Sequence, residues 1–187
     1  KPSLESYSRA SYLREIYGDY PGAIEAMKLA VKAGLPGSEP QCWSLNVLGD
    51  LYYNTGNWAA AENAYAENLA IRPSYATSMA GLAKVETKKK NYVRALALLD
   101  SAIAIMPQPG FEEQKADVYA AMGDTKKAMD KYVEVQQLLI ADANSGHHDV
   151  SLELTKTFIK TNQWDSEKKY ATMEYAIRPK NIDVNNE

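Results

Sequence analysis

Apolar residues in the middle of the chain recur at helical spacing in two stretches. Leu45 and Tyr52 fall on one face of a first predicted helix, and Ala61 and Tyr65 fall on one face of a second. Gly56 lies between the two stretches and has the backbone freedom that ends a helix. The pattern therefore predicts a pair of helices joined by a short turn.

The same pattern returns after 34 positions. Small residues stand at Gly49 and Ala83, and prolines follow at Pro73 and Pro107. Proline ends a helix because it lacks an N–H donor and disfavours helical geometry in the residue before it. A fixed period of about 34 residues indicates stacked helical hairpins. The sequence thus predicts a repeat array.

The clearest unit resembles the tetratricopeptide repeat (TPR), whose pattern contains L-x-x-L-G-x-x-Y, a turn glycine, A-x-x-x-F/Y and a closing proline. The matching residues are Leu45, Leu48, Gly49, Tyr52, Gly56, Ala61, Tyr65 and Pro73. The small Gly49 and Ala61 would let the two helices approach closely. The resemblance extends over residues 4–179 and weakens towards both ends.

The resemblance implies an all-α fold, a right-handed α-α superhelix (a TPR solenoid) of antiparallel helix pairs, A and B. We expect a single domain over residues 1–187. Its repeats are expected at approximately 4–37, 42–75, 76–108, 109–141 and 148–181. Lys90 replaces the turn glycine of the third repeat, and Glu86 stands at its aromatic position. Glu167 stands where the fifth repeat should have a small residue.

Two connections are longer than the repeat requires. Residues 34–40 are rich in glycine and proline and are predicted to form a loop. Residues 141–149 are predicted to form a second loop, which Asn144 or Gly146 would open by ending the preceding helix. Insertions in solenoids map to one edge and often touch a partner. Such insertions also arise as neutral variation in loop length, and the sequence leaves both interpretations open.

In TPR arrays the A helices line a concave groove, so the resemblance implies a protein or peptide partner there. The polar and aromatic character of the implied groove positions suits reversible recognition of a peptide or helix. In the repeat register these positions are Tyr12, Asn46, Asp50, Tyr53, Asn54, Lys84, Thr87, Lys88 and Asp117, with Glu15, Glu113 and Lys156 beside them.

Composition narrows the class of partner. The net charge of −3 argues against a nucleic-acid surface, which needs a basic excess. No apolar run is long enough to predict a transmembrane segment. Cys42 is the sole cysteine, so an internal disulfide is excluded.

Catalytic chemistry finds little support in the sequence. There is no phosphate-binding loop, dinucleotide fingerprint, nucleophile elbow or zinc-protease motif. The cluster His147-His148-Asp149 is the one group with metal-ligand chemistry. Adjacent loop residues rarely supply two ligands to one ion, and a structural zinc site takes four, so an exposed loop before a helix is the favoured interpretation. We expect no enzyme activity, no catalytic residue, no cofactor and no metal. A metal-dependent enzyme is retained as an alternative.

The ends of the chain suggest a fragment of a larger protein. The sequence begins at Lys1 without methionine, and a short polar segment follows Pro179. An array normally needs a polar capping helix. We therefore expect further repeats, another domain, or a homodimer through the uncapped terminal repeat. An accessory role in a larger enzyme or envelope protein remains an alternative. The compartment is unknown: cytoplasmic, or periplasmic or secreted if an upstream signal was removed.

Overall fold

Helices account for most of the described chain. The computed structural model describes residues 2–145 and 149–179, and over this part it contains ten α-helices. Their bounds are α1 Leu4–Ile16, α2 Tyr20–Ala33, α3 Glu39–Asn54, α4 Trp58–Ile71, α5 Ala76–Lys88, α6 Tyr92–Ile105, α7 Pro109–Met122, α8 Thr125–Ser145, α9 Ser151–Lys160 and α10 Trp164–Ile177. The predicted all-α solenoid of paired helices is confirmed.

The chain divides into two compact units, Lys1–Pro107 and Gln108–Glu187. The first unit holds the hairpins α1–α2, α3–α4 and α5–α6, and the second holds α7–α8 and α9–α10. The second hairpin begins at Glu39, before the predicted start at residue 42, and α8 ends at Ser145, beyond the predicted end of the fourth repeat at residue 141. The single-domain boundary of 1–187 stays a prediction.

A left-handed residue ends the first helix of every hairpin. Its φ is close to 60–80° at Gly18, Gly56, Lys90, Gly123 and Asn162. Glycine adopts this conformation without a steric penalty, asparagine tolerates it better than most residues, and lysine disfavours it. These five residues therefore mark the equivalent position in each repeat. In three of the hairpins the next residue, Asp19, Asn57 or Asp124, accepts a hydrogen bond from the first turn of the following helix.

The core of the first unit is layered between successive hairpins. Met27 and Leu51 belong to one cluster that fills the space around α2, α3 and α4. Tyr65 and Val85 belong to a second cluster, between α4 and α5. Each layer is formed by the B helix of one hairpin and the A helix of the next, which is the packing that a repeat array requires.

The second unit has its own core. Ala116, Ala128 and Tyr132 pack together inside the α7–α8 hairpin. Phe158 of α9 stacks on Tyr170 of α10, with ring centroids 5.6 Å apart. Burial of these side chains from α7 to α10 makes the second unit compact.

Both predicted loops are shorter than expected. Helix α3 already begins at Glu39, because Pro40 lies in its first turn, where a missing N–H costs nothing. Helix α8 continues to Ser145, so Asn144 lies inside a helix and does not end it. Gly146 lies outside the described residues.

Candidate functional site

The A helices of the first unit lie side by side. Helix α3 contacts α1 on one side and α5 on the other. Four of the predicted groove residues, Asn46, Asp50, Tyr53 and Lys84, come together where α3 meets α5.

Asp50 is the centre of this arrangement, which we call the Asp50 cluster (Asn46, Asp50, Tyr53, Tyr65 and Lys84). The Tyr65 hydroxyl donates to Asp50 Oδ1 at 2.8 Å, and the Asn46 amide donates to Oδ2 at 3.0 Å. Lys84 Nζ lies 3.6 Å from Oδ1 and 5.9 Å from the centroid of the Tyr53 ring. The carboxylate is therefore held by three helices, α3, α4 and α5.

A buried hydrogen-bond chain continues inward from Asn46. The Ser78 hydroxyl donates to Asn46 Oδ1 at 2.9 Å. The Asn68 amide donates to Ser78 Oγ at 2.8 Å and to the Cys42 carbonyl at 2.9 Å. Asn68 and Ser78 are fully buried, so these bonds satisfy Asn68 Nδ2 and Ser78 Oγ, which would otherwise destabilise the core. Asn68 Oδ1 accepts no hydrogen bond from the described residues. The chain fixes the position of α5 against α3 and α4.

Two glycines make room for the ring of Tyr65. A Cβ placed on Gly49 of α3 or on Gly81 of α5 would lie 2.4 Å from the Tyr65 ring. The predicted close approach at Gly49 is thus confirmed, and a second one occurs at Gly81. Burial, followed by the charge and hydrogen bond of Asp50, raises the pKa of Tyr65 far above its ordinary value. Its phenol therefore stays a hydrogen-bond donor at any physiological pH.

The second unit repeats this chemistry in what we call the Asp117 cluster (Glu113, Asp117, Tyr132 and Lys160). The Tyr132 hydroxyl donates to Asp117 Oδ1 at 2.5 Å. Lys160 Nζ lies 2.8 Å from the same oxygen, 2.7 Å from Glu113 Oε1 and 5.3 Å from the Tyr132 ring centroid. Burial lowers the pKa of Lys160, but the two carboxylates outweigh it, so the pKa is raised and the lysine stays charged.

The two clusters differ in the position of their lysine. Counted from the left-handed turn residues, Lys156 corresponds to Lys84, and Lys160 lies one helical turn further along α9. Asp117 nevertheless pairs with Lys160. The sequence register therefore does not determine which lysine of α9 pairs with Asp117.

The other predicted groove residues lie outside both clusters. Tyr12, Asn54 and Lys88 are exposed on α1, α3 and α5. The Thr87 hydroxyl donates to the Ala83 carbonyl within its own helix. These four side chains are at least partly exposed, so a partner could contact them.

Tyr65, Ser78 and Lys160 were missed by the sequence analysis as site residues. The role of Tyr65 could have been found from the sequence, because Asp50 and Tyr65 are separated by 15 positions, as are Asp117 and Tyr132. For Ser78 and Lys160 no such spacing exists, since their contacts cross between hairpins.

The described residues provide no candidate for a catalytic nucleophile or a metal site. Burial raises the pKa of the Cys42 thiol, which disfavours the nucleophilic thiolate. Over residues 2–145 and 149–179, no three His, Cys, Asp or Glu side chains are grouped so that they could hold a metal ion. His147 and His148 of the predicted metal cluster lie outside these ranges. Asp149 accepts a hydrogen bond from the Ser151 N–H at the start of α9 and pairs with Arg178.

Among the described residues, no helix combines the length and the apolar character that a transmembrane span needs.

Comparison with known proteins agrees with this architecture. Residues 42–72 match the family model of the tetratricopeptide repeat. A thermophilic TPR protein of Thermus thermophilus superposes with a TM-score of 0.68 at 18% identity, covering 98% of this chain and 96% of that one. BtubC (BKLC) of P. vanneervenii gives 0.63 at 23% identity, covering 78% and 65%.

The sequence match to a curated relative covers a shorter segment of the chain. The uncharacterized protein ycf37 of Pyropia yezoensis is 32% identical over 60 residues, which cover 32% of this chain and 34% of the relative. The match therefore spans about a third of that relative's length. The family model thus covers one repeat, and the similarity to the solved structures shows that the fold of the chain is that of a tetratricopeptide repeat array.

Proposed function

We propose that this chain is a protein-interaction scaffold that binds an extended peptide or a helix along its A helices, and that it is not an enzyme. TPR proteins typically mediate contacts between proteins, and solenoids present extended surfaces for that purpose. The proposal is supported above all by the Asp50 cluster, which places a carboxylate, a lysine and a tyrosine ring together on adjacent A helices.

The cluster has both a fixed part and an exchangeable part. Asp50 is held by Tyr65 and Asn46, so its position is fixed before a partner arrives. The pair between Lys84 and Asp50 is more than a third exposed on both sides, and such pairs contribute little to stability. Lys84 can therefore exchange Asp50 for a carboxylate or carbonyl of a partner at low cost.

Two features extend this surface beyond the cluster. Lys88 lies one turn further along α5 and is exposed, so it adds a second cation on the same side of the helix. Tyr12 of α1 is 63% exposed and offers an aromatic ring to an apolar side chain. We infer that the surface favours a partner segment that carries both acidic and apolar side chains.

The experiment is a selection from a random-peptide library against the purified chain, followed by titration of a selected peptide. Lys84→Glu and Lys88→Glu should each weaken binding by about tenfold, because each replaces an attraction by a repulsion in a shared interface. Lys32→Glu, on the exposed side of the B helix α2, makes the same charge change and should leave affinity unaltered.

Asp50 is not a suitable probe. Its carboxylate is the acceptor for the buried Tyr65 hydroxyl, so Asp50→Lys would disturb folding as well as binding. If Lys84→Glu and Lys32→Glu bind the selected peptides equally well while both remain folded, binding along the A helices is contradicted.

A further inference from the structure

Trp43 of α3 is a large aromatic residue that the core of the protein does not use. It is 47% exposed, although its neighbours in the sequence, Cys42 and Ser44, are fully buried. Within residues 2–145 and 149–179, no other aromatic ring stacks on it. Tryptophan is enriched among the residues that dominate the binding energy of protein interfaces, so an exposed one on an interaction surface is a candidate anchor.

The packing of the repeat does not require an aromatic residue at this position. Counted from the left-handed turn residues, Trp43 corresponds to Glu5 of α1 and to Thr77 of α5. Neither of these is apolar, and α1 and α5 still pack in their hairpins. The tryptophan is therefore a particular feature of the second repeat, and the fold alone does not explain it.

Trp43 lies on the face of α3 that carries the Asp50 cluster. Asn46 and Asp50 follow it by three and seven positions, which is the spacing of residues on one side of an α-helix. Val47, one turn from Trp43, is only partly buried and adds apolar surface between Trp43 and Asp50. Because an α-helix rises about 1.5 Å per residue, Trp43 and Asp50 are about 10 Å apart along the axis.

This separation matches an extended segment of a partner. A segment in the polyproline II conformation advances about 9 Å in three residues and returns the side chain to the same side. Asn54, at the end of α3, is exposed, and its carboxamide has no hydrogen-bond partner among the described residues. It can bond to the backbone of an extended segment, whereas a helix satisfies its own backbone groups.

The cations of α5 determine the charge that such a segment should carry. Lys84 is partly exposed, and its ammonium lies beside Asp50, which Tyr65 and Asn46 already hold. Lys88 is exposed and pairs with no carboxylate of the described residues. A carboxylate of the partner is therefore the complementary group at this end of the surface.

We propose that Trp43 is the anchor that determines the sequence preference of this surface. The partner is an extended segment in which an aromatic or large aliphatic residue and an acidic residue are separated by two others. The apolar side chain packs on Trp43, and the carboxylate pairs with Lys84. This inference rests on the proposed function, because it requires a partner that lies along the A helices.

The peptides selected from the random library provide the first test. Their aligned sequences should share an apolar and an acidic residue with two positions between them. Trp43→Ala should weaken binding roughly thirtyfold, the loss typical of an aromatic anchor. Trp58→Ala is the matched control, because Trp58 is 41% exposed but begins the B helix α4, and this variant should bind like the parent chain. Circular dichroism establishes that both variants stay folded.

Fluorescence of Trp43 provides a direct readout of the contact. The chain has three tryptophans, so Trp58→Phe combined with Trp164→Phe leaves Trp43 as the sole emitter. A selected peptide should shift its emission to shorter wavelength, because the ring is transferred from water to an apolar contact. A tryptophan that only supports the fold of α3 would show no such shift.

The outcomes separate this inference from the proposed function. If Lys84→Glu weakens binding while Trp43→Ala does not, the surface binds a partner and the anchor is wrong. Selected peptides whose apolar and acidic residues stand seven positions apart would also overturn the inference, because that spacing spans the same distance in a helix. If neither Lys84→Glu nor Trp43→Ala changes affinity, the proposed function fails together with the anchor.

Discussion

At the scale of single residues, the ring of Tyr65 organises the first unit. It is fully buried between Gly49 and Gly81 and donates its hydroxyl to Asp50. One side chain thus connects three helices through contacts of its ring with both glycines and a hydrogen bond at its tip. This explains why small residues are needed on the A helices at either side.

Gly81→Ala should lower the free energy of unfolding by about 1–3 kcal/mol, because the new methyl group would overlap the Tyr65 ring. Urea unfolding followed by circular dichroism measures the change. Gly110→Ala is the control, since a Cβ at Gly110 meets no atom within 4 Å. Equal midpoints for the two variants would contradict the tight seat of the ring.

Glu174 of α10 is a buried carboxylate that accepts no hydrogen bond from the described residues. Burial raises its pKa, Arg178 with its Nε 3.2 Å away opposes this, and Asp149 adds to it. Its charged form therefore destabilises the folded state relative to the neutral form.

Glu174→Gln should accordingly be more stable than the parent chain at neutral pH. The advantage should be complete above the raised pKa of Glu174 and should vanish as the pH falls through the ordinary carboxyl pKa, where the parent side chain is protonated in both states. Unfolding midpoints across this pH range measure it, with Glu67→Gln, at an exposed position of α4, as control. A parent chain that is more stable at neutral pH would contradict the assignment.

At the scale of elements, the hairpin turn is the feature that recurs most faithfully. Every turn needs a left-handed residue, yet the third repeat places Lys90 there, with φ of 64°. The surrounding turn bonds are retained: the Lys90 N–H donates to Thr87 and the Asn91 N–H to Glu86. The fold thus imposes the conformation on a residue that disfavours it.

Lys90→Gly should therefore raise the free energy of unfolding by roughly 1 kcal/mol, because it removes the strain of a left-handed lysine. Lys88→Gly, the same change at the last residue of α5, should lower it by about 0.5–1 kcal/mol. Thermal or urea unfolding of both variants measures the opposite signs. Two shifts of the same sign would be incompatible with this explanation.

At the scale of the whole molecule, the first unit contains three hairpins and a core of its own, which is layered between them. Residues 1–107 produced alone should fold, because the clusters around Met27 and Tyr65 are complete within them. Cooperative urea unfolding and slow amide exchange would verify this. A chain ending at residue 90 lacks α6, whose Leu98 packs on the Tyr65 cluster, and should be markedly less stable. Equal stability of the two pieces would contradict a layered core.

The number of hairpins and the class of fold were predictable from the sequence because they follow from local periodicity. Apolar spacing, turn glycines and closing prolines act within one repeat, and the sequence displays them directly. The A helices that carry the candidate surface were also predictable, since register alone assigns residues such as Asp50 and Lys84 to them.

The partners of those residues were decided only by the tertiary structure. Lys160 reaches Asp117 in place of its register equivalent Lys156, and Ser78 joins the buried hydrogen-bond chain from a different hairpin than Asn46. Such contacts depend on how one hairpin packs on the next and on the insertion before α9. The repeat period along the sequence does not specify how one hairpin packs on the next, because that packing joins residues that are far apart in sequence.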